Sequence, residues 1–289
     1  MKIEDLNTSQ TNTWCPGCYN NMILQAVKQA IVNLVNEDKI SLKDIVAVTG
    51  IGCADKIYDY INVNGFCSVH GRVPPTMLGI KSGNPELTVL GFSGDGGTYD
   101  EGVSHLIKMA RYNPNAVLTV HNNQVFSLTT GQPTPTTEKG FKGPSLPLGT
   151  KEKPLNPLTL MLSSGASFVA RGSALDIEHL TSLFEKAITH KGFAFIDVIQ
   201  PCLIFHNKIK YFQEHSYKLD DNHDETDLEA AFEKARQWDL NFDEEKEVPI
   251  GVFYQKEEEV WSDKWPQLEK PWYKKKRESK VKEIIKSLK

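Results

Sequence analysis

The chain has 289 residues, a hydrophobic fraction of 39% and a formal net charge of −4 at pH 7. This length suits one large α/β domain or a domain with an extension, and the apolar content is sufficient for a substantial core. The net negative charge argues against a general affinity for nucleic acid. The chain has no run of apolar residues long enough to span a membrane. Its first residues, Met1–Asp5, lack the apolar core of a signal peptide, so a soluble, cytoplasmic protein is expected.

Two cysteines on a tight turn come first. Trp14-Cys15-Pro16-Gly17-Cys18 places two thiols close together, and proline and glycine favour the turn between them. Such a pair alone is typical of a redox disulfide, half a zinc site or half an iron–sulfur site. After the pair, apolar residues recur at helical spacing from Ile23 to Val35, which predicts a helix packed on the core.

A predicted buried strand, Asp44–Thr49, leads into Gly50-Ile51-Gly52-Cys53. Ligands bind at the carboxyl ends of parallel strands, so this turn of small residues brings a third cysteine to a ligand-binding edge. Lys56 lies one turn further along. It faces an anionic substrate or, equally well on the sequence alone, is an ordinary solvated lysine.

The segment Cys67–Arg72 contains a further candidate loop. His70-Gly71-Arg72 brings a base and a fixed cation to a point where the backbone can turn sharply, although this tripeptide alone favours a structural loop. Cys67 lies in an apolar-leaning segment and is expected to be a buried thiol rather than a ligand. Pro74-Pro75 predicts the start of a helix that continues through Lys81.

The chain's main cofactor signal is a strand–loop–helix–strand unit. Leu87–Ser93 is a predicted buried strand, Gly94-Asp95-Gly96-Gly97 follows it, and Ala116–His121 is the second strand after an intervening helix. Asp95 and Asn123 are 28 positions apart. One right-handed crossover between parallel strands would bring both to the same carboxyl edge.

Carboxylate, amide and backbone carbonyl oxygens suit Mg²⁺, which takes its other ligands from phosphates and water. Gly96 and Gly97 leave the backbone amides open to a diphosphate. A tight turn in which Asp95 caps the following helix would explain the end of the first strand, but not Asn122 and Asn123 at the end of the second. These two strand ends, called tips below, resemble the magnesium–diphosphate motif of thiamine-diphosphate enzymes, together with the Gln124-Val125-Phe126 segment that follows. The magnesium ligands that this resemblance implies are Asp95, Asn123 and the Val125 carbonyl.

The second half of the chain contains a long polar, proline-rich stretch after Ser127, which is typical of a functional or partner-covered loop. A strand begins at Phe168, a helix follows, and the strand Phe193–Ile199 delivers Cys202 to the carboxyl edge. Beyond about residue 206 the composition changes to alternating acidic and basic runs. We therefore expect a cofactor-binding domain over residues 1–206 and a C-terminal extension over residues 207–289, which packs on that domain or on a partner subunit.

The extension carries two further patterns. Pro249–Tyr254 predicts an edge strand, and Lys274–Lys289 predicts a basic, weakly amphipathic helix. A solvated tail or a clasp on a partner subunit is favoured over contact with nucleic acid or a membrane.

Four of the five cysteines form a candidate ligand set: Cys15, Cys18, Cys53 and Cys202. Four thiolates suit structural zinc or a [4Fe–4S] cluster. Zinc sites more often contain two Cys-x-x-Cys pairs, so one pair with two single cysteines favours the cluster. A low-potential cluster beside a thiamine cofactor also has a chemical purpose, because it can remove electrons one at a time after decarboxylation.

From about residue 12 to about residue 256, the chain resembles the β subunit of the 2-oxoacid:ferredoxin oxidoreductases. The subgroup that includes 2-oxoglutarate and broad 2-oxoacid enzymes is the most similar. The matching segments are Trp14–Cys18, Gly50–Cys53, His70–Arg72, Gly79–Lys81, Ser93–Gly96, Asn122–Asn123, Thr130–Gln132, Pro201–Cys202 and Pro249–Tyr254. This resemblance implies an α/β fold with a mostly parallel sheet and helices on both faces, the thiamine-diphosphate-binding fold.

The resemblance also implies the cofactors and their contacts. The [4Fe–4S] ligands would be Cys15, Cys18, Cys53 and Cys202. The thiamine-diphosphate contacts would be Ile51, Gly52, Cys53, Ala54, His70, Gly96, Gly97, Ser127 and Leu128. His70 and Lys56 are the expected catalytic side chains. The glutamate that activates thiamine belongs to the α subunit in this family, so the chain alone is expected to be inactive.

The reaction implied is oxidative decarboxylation of a 2-oxoacid, with coenzyme A as acyl acceptor and ferredoxin as electron acceptor. One alternative is a non-redox thiamine-diphosphate decarboxylase or carboligase subunit with structural zinc. Another is an inactive scaffold or cluster-binding subunit. Two departures from the family pattern are Tyr19-Asn20 after the first cysteine pair and Thr130 in place of a lysine found in many 2-oxoglutarate enzymes.

Overall fold

A computed structural model describes residues 1–220, 222–275 and 281–287, without the side chains at positions 282 and 284. Its strands are β1 Ile45–Thr49, β2 Asn64–Cys67, β3 Thr88–Gly94, β4 Ala116–Asn122, β5 Val125–Phe126, β6 Gln132–Pro133, β7 Phe168–Ser173, β8 Phe193–Ile199, β9 Ser216–Lys218 and β10 Val248–Gln255. Its α-helices are α1 Asn20–Asn36, α2 Val73–Gly83, α3 Val103–Tyr112, α4 Pro157–Ser163, α5 Ile177–Thr189, α6 Ile209–His215, α7 Leu228–Arg236 and α8 Val281–Ser287.

Eight strands form one sheet in the order β2-β1-β3-β4-β8-β7-β10-β9. The six strands from β2 to β7 run parallel, whereas β10 is antiparallel to β7 and carries β9 at the outer edge. The central strands β4 and β8 are buried at every position. This burial explains their continuous apolar runs, because parallel strands are covered on both faces.

Helices cover both faces of the sheet and divide the core into two layers. On one face α1 and α5 pack together, with Ile31 and Phe184 fully buried. On the other face, α2, α3, α4 and α7 cover a second cluster around Phe195 and Phe253. The mostly parallel α/β architecture predicted from the sequence is confirmed.

The structure corrects two local predictions. Cys67 is exposed rather than buried, because β2 is an edge strand with every residue exposed. The predicted edge strand Pro249–Tyr254 lies within β10, which is second from the edge because β9 pairs with its outer side. Since β10 belongs to the main sheet, the segment after residue 206 contributes directly to the core.

Two other predictions concern membranes and the basic tail. Within the described ranges, no helix combines the length and apolarity needed to cross a bilayer. The predicted tail helix is seen as α8, Val281–Ser287, whereas residues 276–280 and 288–289 lie outside the described part of the chain.

Candidate functional site

Strand register brings the two predicted magnesium-binding tips together. In the paired strands β3 and β4, Gly94 lies opposite His121. Asp95 follows β3 directly, and Asn123 follows β4, so both side chains emerge at the carboxyl edge. Both residues line one cleft together with Val125.

The cleft collects every residue named as a thiamine-diphosphate contact. Its lining includes Ile51, Gly52, Cys53, Ala54, His70, Gly96, Gly97, Ser127 and Leu128. Residues from four separate turns therefore meet in one place, as the parallel-strand argument predicts. Four further lining residues were not among the predicted site residues: Asp55, Gly94, Phe126 and Thr129.

Asp95 is buried and held by two hydroxyl donors. Thr134 Oγ1 donates to Asp95 Oδ2 at 2.6 Å, and Thr136 Oγ1 donates to the same oxygen at 3.0 Å. Burial raises the pKa of Asp95 to about 7, although the two threonine hydrogen bonds act to lower it. A divalent cation would offset the desolvation of this carboxylate, which suits a metal ligand.

Asn123 and Val125 are oriented by an unusual residue between them. Gln124 has φ +61°, a left-handed conformation that is uncommon outside glycine. Its side chain is buried and donates to the carbonyl of Leu240 at 3.2 Å and to that of Thr136, which fixes the turn. Such strain at a ligand-binding edge is typical of functional sites.

Gly96 is required by the close approach of an aromatic ring. A Cβ at position 96 would lie 2.1 Å from the Phe126 ring, so a larger residue would displace that ring. A Cβ at Gly97 would approach Ser93 Oγ at 3.1 Å. A π-helical turn, Gly96–Glu101, follows the aspartate and separates it from α3. The Phe126 ring thus occupies the space that a side chain at position 96 would need, and Ser93 limits the space at position 97.

His70 stands at the wall of the cleft, next to an acid. Its Nδ1 contacts the Glu101 carboxylate, and both side chains are partly exposed. The His70 ring also lies 6.1 Å from the Phe126 ring, centroid to centroid. A carboxylate partner on Nδ1 fixes the ring orientation and directs Nε2 away from that partner.

Asp55 is a buried carboxylate that sequence reasoning missed. Its Oδ1 accepts the Gly50 backbone N–H at 2.5 Å and so closes the Gly50–Cys53 turn. Its Oδ2 is buried without a hydrogen-bond partner, and burial raises its pKa to about 7. The sequence shows that Asp55 lies two residues after Cys53. No pattern in it distinguishes a buried aspartate at this position from an exposed one on a helix.

The four candidate ligand cysteines line a second cavity, of about 220 Å³, beside the first. Its lining includes Cys15, Cys18, Cys53 and Cys202. Cys53, Asn123, Ser127 and Leu128 line both cavities, so the two share a wall. The structure thus brings together the four cysteines that the sequence analysis grouped, and it leaves Cys67 outside the lining.

Local contacts explain how the first cysteine pair is positioned. The Cys18 N–H donates to the Cys15 carbonyl at 3.0 Å, and Gly17 adopts φ +76° in that turn. Trp14 Nε1 donates to the Cys53 carbonyl at 2.6 Å and ties this turn to the third cysteine. The tryptophan is itself buried against Tyr60, with ring centroids 4.6 Å apart.

Two of the thiols, Cys18 and Cys53, are in an environment that disfavours free thiolates. Burial, with a smaller contribution from the neighbouring cysteines, raises the pKa of Cys18 to about 11. Burial also raises the pKa of Cys53, opposed by a hydrogen bond from Ser127 and by the charge of Lys56. A bound cationic centre would favour the thiolate forms, because metal coordination deprotonates thiols.

The distances between these thiols determine which kind of metal centre they can bind. In the part of the chain that the structure describes, no three His, Cys, Asp or Glu side chains are close enough together to hold one metal ion. A single Zn²⁺ holds its four sulfurs about 3.8 Å apart, given its bond length of about 2.3 Å. The four thiols therefore surround a cavity rather than a single-ion site.

Lys56 and Thr130 both line the cysteine cavity. Lys56 Nζ donates to the Thr13 carbonyl at 3.2 Å and is partly buried. Thr130 has φ +77°, which is rare for a β-branched residue. The expected cation is thus missing at position 130, but Lys56 supplies one in the same cavity.

A buried polar network lies next to the two predicted magnesium-binding tips. Arg171 and Asp197 form a fully buried ion pair, with Nε 3.3 Å from Oδ2. Tyr99 donates to the other Asp197 oxygen at 2.7 Å, and Asn122 donates to it at 3.0 Å. Thr136 Oγ1 lies 2.9 Å from Asn122 Oδ1 and 3.0 Å from Asp95 Oδ2, so its single hydroxyl hydrogen is shared between these two acceptors and links the network to Asp95. Sequence periodicity did not indicate this network, because Asn122, Arg171 and Asp197 lie on strands whose pattern is apolar.

Both the sequence and the fold are similar to those of known proteins. Residues 50–198 match the family model for the C-terminal TPP-binding domain of thiamine pyrophosphate enzymes, and residues 205–270 match the model for the C-terminal part of the pyruvate ferredoxin oxidoreductase β chain. A 2-oxoacid:ferredoxin oxidoreductase β subunit from Sulfolobus sp. is 39% identical and aligns over 86% of this chain and 84% of its own length. The 2-oxoglutarate oxidoreductase subunit KorB of Mycobacterium tuberculosis is 35% identical over 72% of this chain and 54% of its own.

A solved structure is similar over almost the whole chain. It is the 2-oxoglutarate:ferredoxin oxidoreductase from Magnetococcus marinus with 2-oxoglutarate, coenzyme A and succinyl-CoA bound. The TM-score is 0.90 at 28% identity, covering 99% of this chain and 96% of the other. The thiamine-binding cleft, the matching family models and these relatives lead to one assignment: the chain belongs to the family of 2-oxoacid:ferredoxin oxidoreductase β subunits.

Proposed function

We propose that the chain contributes the thiamine-diphosphate, Mg²⁺ and [4Fe–4S] sites to an enzyme that oxidatively decarboxylates a 2-oxoacid. Coenzyme A accepts the acyl group, and ferredoxin accepts the electrons. The observation that carries this proposal is the shared wall between the cleft with Asp95 and Asn123 and the cavity with four cysteines. Two centres on either side of one wall are close enough for electron exchange.

The residues of the cleft suit a magnesium-bound diphosphate. Asp95, Asn123 and the Val125 carbonyl provide hard oxygen ligands, and the bare backbone at Gly96 and Gly97 admits phosphate oxygens. When bound, thiamine diphosphate supplies the nucleophilic carbon and the electron sink for decarboxylation. The chain's own residues hold the diphosphate, while His70 stands at the cleft wall to hold or move a proton near the substrate.

The cysteine cavity suits a cluster better than zinc. A cubane separates its four thiolates by more than a single ion does, and the thiols surround a cavity instead of converging. The family assignment likewise does not favour the non-redox alternative with structural zinc. Lys56 would attract the carboxylate of an anionic 2-oxoacid. Thr130 is uncharged and cannot take this role.

An α subunit is part of the proposal. Six large apolar side chains are strongly exposed at or after the carboxyl ends of the parallel strands, Phe66 within strand β2 and the others in loops: Ile51, Phe66, Val69, Leu128, Leu148 and Ile204. Such a collection of exposed apolar residues is typical of an interface. We infer that an α subunit packs over this side, completes the oxoacid pocket and supplies the group that activates thiamine. The proposed location is the cytoplasm.

The test is purification from the native host, without oxygen, of the complex that contains this chain. The account predicts a second subunit, cluster iron and sulfide, and reduction of a viologen dye that depends on a 2-oxoacid and coenzyme A. Assay of several 2-oxoacids would identify the substrate. Substrate decarboxylation without dye reduction, or protein with zinc and no iron, would contradict the redox proposal.

A further inference from the structure

Gln200 lies between the two proposed centres. It follows β8 directly and precedes Pro201-Cys202, and it is 2% exposed. Its backbone N–H donates to the Asn122 carbonyl at 3.0 Å, so the main chain is fixed beside the second magnesium-binding tip. Its side chain lines the cysteine cavity.

The two ends of the Gln200 amide face different partners. Asn123 Nδ2 donates to Gln200 Oε1 at 3.2 Å. Gln200 Nε2 points at Cys18 Sγ from 4.0 Å, the outer limit of an N–H···S contact, and also donates to the Pro201 carbonyl at 3.4 Å. One side chain therefore contacts a proposed magnesium ligand and a proposed cluster ligand.

These contacts also determine which way both amides point. Asn123 Nδ2 donates to Ser127 Oγ at 3.3 Å as well as to Gln200, so both of its hydrogens are engaged. Asn123 Oδ1 accepts the Val125 backbone N–H at 3.1 Å and keeps a second lone pair for a cation. Because the Gln200 oxygen is used by Asn123, its NH₂ group must face the sulfur.

We propose that Gln200 is a positioning residue for both centres: its oxygen holds Asn123 with Oδ1 toward Mg²⁺, and its amide hydrogen donates to the Cys18 thiolate of the cluster. The proposal rests on the proposed function, since it requires both groups to be bound. It makes Gln200 a residue that sets the reduction potential of the cluster.

The physical basis is the charge on the cluster. Reduction adds negative charge that is shared with the sulfur ligands, and a donor aimed at one of these sulfurs stabilises the reduced form. Outer hydrogen bonds of this kind tune metal centres without binding the metal themselves. Removal of the Gln200 donor is therefore expected to make reduction harder.

Two substitutions separate the two ends of the amide. Gln200→Glu keeps an oxygen for Asn123 but replaces the donor with a second acceptor. Gln200→Leu removes both ends with a side chain of similar size. The matched control is Gln213→Glu, which makes the same charge change at an exposed position of α6.

The measurement is an EPR-monitored redox titration of the anaerobically purified full chain, preceded by iron and sulfide assays. For Gln200→Glu we expect the equilibrium constant for one-electron reduction to fall about tenfold, a midpoint about 59 mV more negative. Gln200→Leu is expected to shift in the same direction, and Gln213→Glu is expected to match wild type. Mg²⁺ affinity in the presence of thiamine diphosphate should fall about tenfold in Gln200→Leu and remain close to wild type in Gln200→Glu.

Failure of this inference is distinguishable from failure of the proposed function. Wild-type protein without cluster iron would overturn the proposed function. Cluster-loaded wild type and Gln200 variants with the same midpoint would overturn the role of Gln200 alone. If neither variant assembles a cluster while wild type does, the inference is also contradicted, because loss of one N–H···S contact shifts a potential without preventing ligation.

Discussion

Thr134 donates its hydroxyl hydrogen to Asp95 Oδ2 across 2.6 Å, although the two residues are 39 positions apart in the chain. The contact joins the long polar loop after β4 to the turn after β3. It fixes one carboxylate oxygen of Asp95 and so determines how the carboxylate is presented to the cleft.

Thr134→Val removes this donor and leaves Thr136 as the remaining hydroxyl on Asp95. A hydrogen bond to a charged group contributes about 1.5–3 kcal/mol. We therefore expect Mg²⁺ binding in the presence of thiamine diphosphate to weaken by roughly 10–100-fold, as measured by calorimetry. The same substitution at the exposed Thr189 is the control, and equal affinities in the two variants would contradict the assigned role.

The pH dependence of metal binding follows from the raised pKa of Asp95. In the metal-free chain this pKa is about 7, so Mg²⁺ must displace a proton at lower pH. Mg²⁺ affinity is expected to rise roughly tenfold per pH unit up to about pH 7 and then to level off. A flat affinity between about pH 5.5 and 8 would contradict Asp95 as the ligand.

The raised pKa of Asp95 also makes folding stability depend on pH, but in the opposite direction: stability falls as pH rises, whereas Mg²⁺ affinity increases. The folded-state pKa of Asp95 lies above its ordinary value of 3.8, so its stabilising contribution is fully present below about pH 3.8 and is lost as pH rises through about 7. Asp95→Asn is expected to be more stable than wild type near pH 8 without metal, as measured by urea unfolding, while it loses Mg²⁺ binding. Unchanged stability of Asp95→Asn near pH 8 would contradict this assignment.

Gly96→Ala tests the close approach of the Phe126 ring. The added Cβ would lie 2.1 Å from that ring, so either the ring or the backbone must move. We expect thiamine-diphosphate binding to fall at least tenfold in a fluorescence titration. Gly79→Ala in α2 is the matched control, since no atom lies within 4 Å of its Cβ, and it should raise stability by up to about 1 kcal/mol. Normal cofactor binding by Gly96→Ala would contradict the geometry.

Asp197→Asn tests the buried network behind the magnesium-binding tips. Breaking a buried ion pair leaves the Arg171 charge uncompensated, and such changes cost about 3–5 kcal/mol. The free energy of unfolding, measured with urea, should fall by about that amount. The control is Asp263→Asn, whose pair with Lys191 is largely exposed and should change stability by less than about 1 kcal/mol. Similar losses in the two variants would show that the network is not what stabilises this region.

The fifth cysteine provides an internal control for the cluster site. Cys202→Ser is expected to lower cluster iron to less than about half of wild type, because the remaining ligands hold a cluster poorly. Cys67→Ser should leave iron unchanged, since Cys67 is exposed on the edge strand β2 and lies outside the cysteine cavity. Iron loss in Cys67→Ser with none in Cys202→Ser would contradict the ligand assignment.

The sequence was sufficient to predict where a residue lies when its position depends on strand topology alone. Asp95, Asn123 and Cys202 each follow a buried apolar strand, and parallel strands end at one edge, so their proximity was predictable. The α/β fold was predictable from the same strand pattern, whereas the family was predicted from the resemblance of its motifs; both predictions are confirmed.

Other parts of the site depend on loop conformation, which periodicity does not report. Thr134 and Thr136 lie in a proline-rich stretch without a repeating pattern, so their contacts with Asp95 were not foreseen. The burial of Asp55 depends on a turn closed by its own side chain. The role of Gln200 could not be predicted from the sequence, because its partners come from two distant segments that only the fold brings together.

The central claim is that electrons released at the thiamine cofactor pass to a cluster held by the same chain. It is tested most directly by adding a 2-oxoacid and coenzyme A to the anaerobic, cofactor-loaded αβ complex, without an external acceptor, and recording the EPR spectrum. The account predicts a reduced-cluster signal that appears with substrate and is lost in Cys202→Ser. Conversion of the 2-oxoacid with no reduced-cluster signal in the wild-type complex would contradict it.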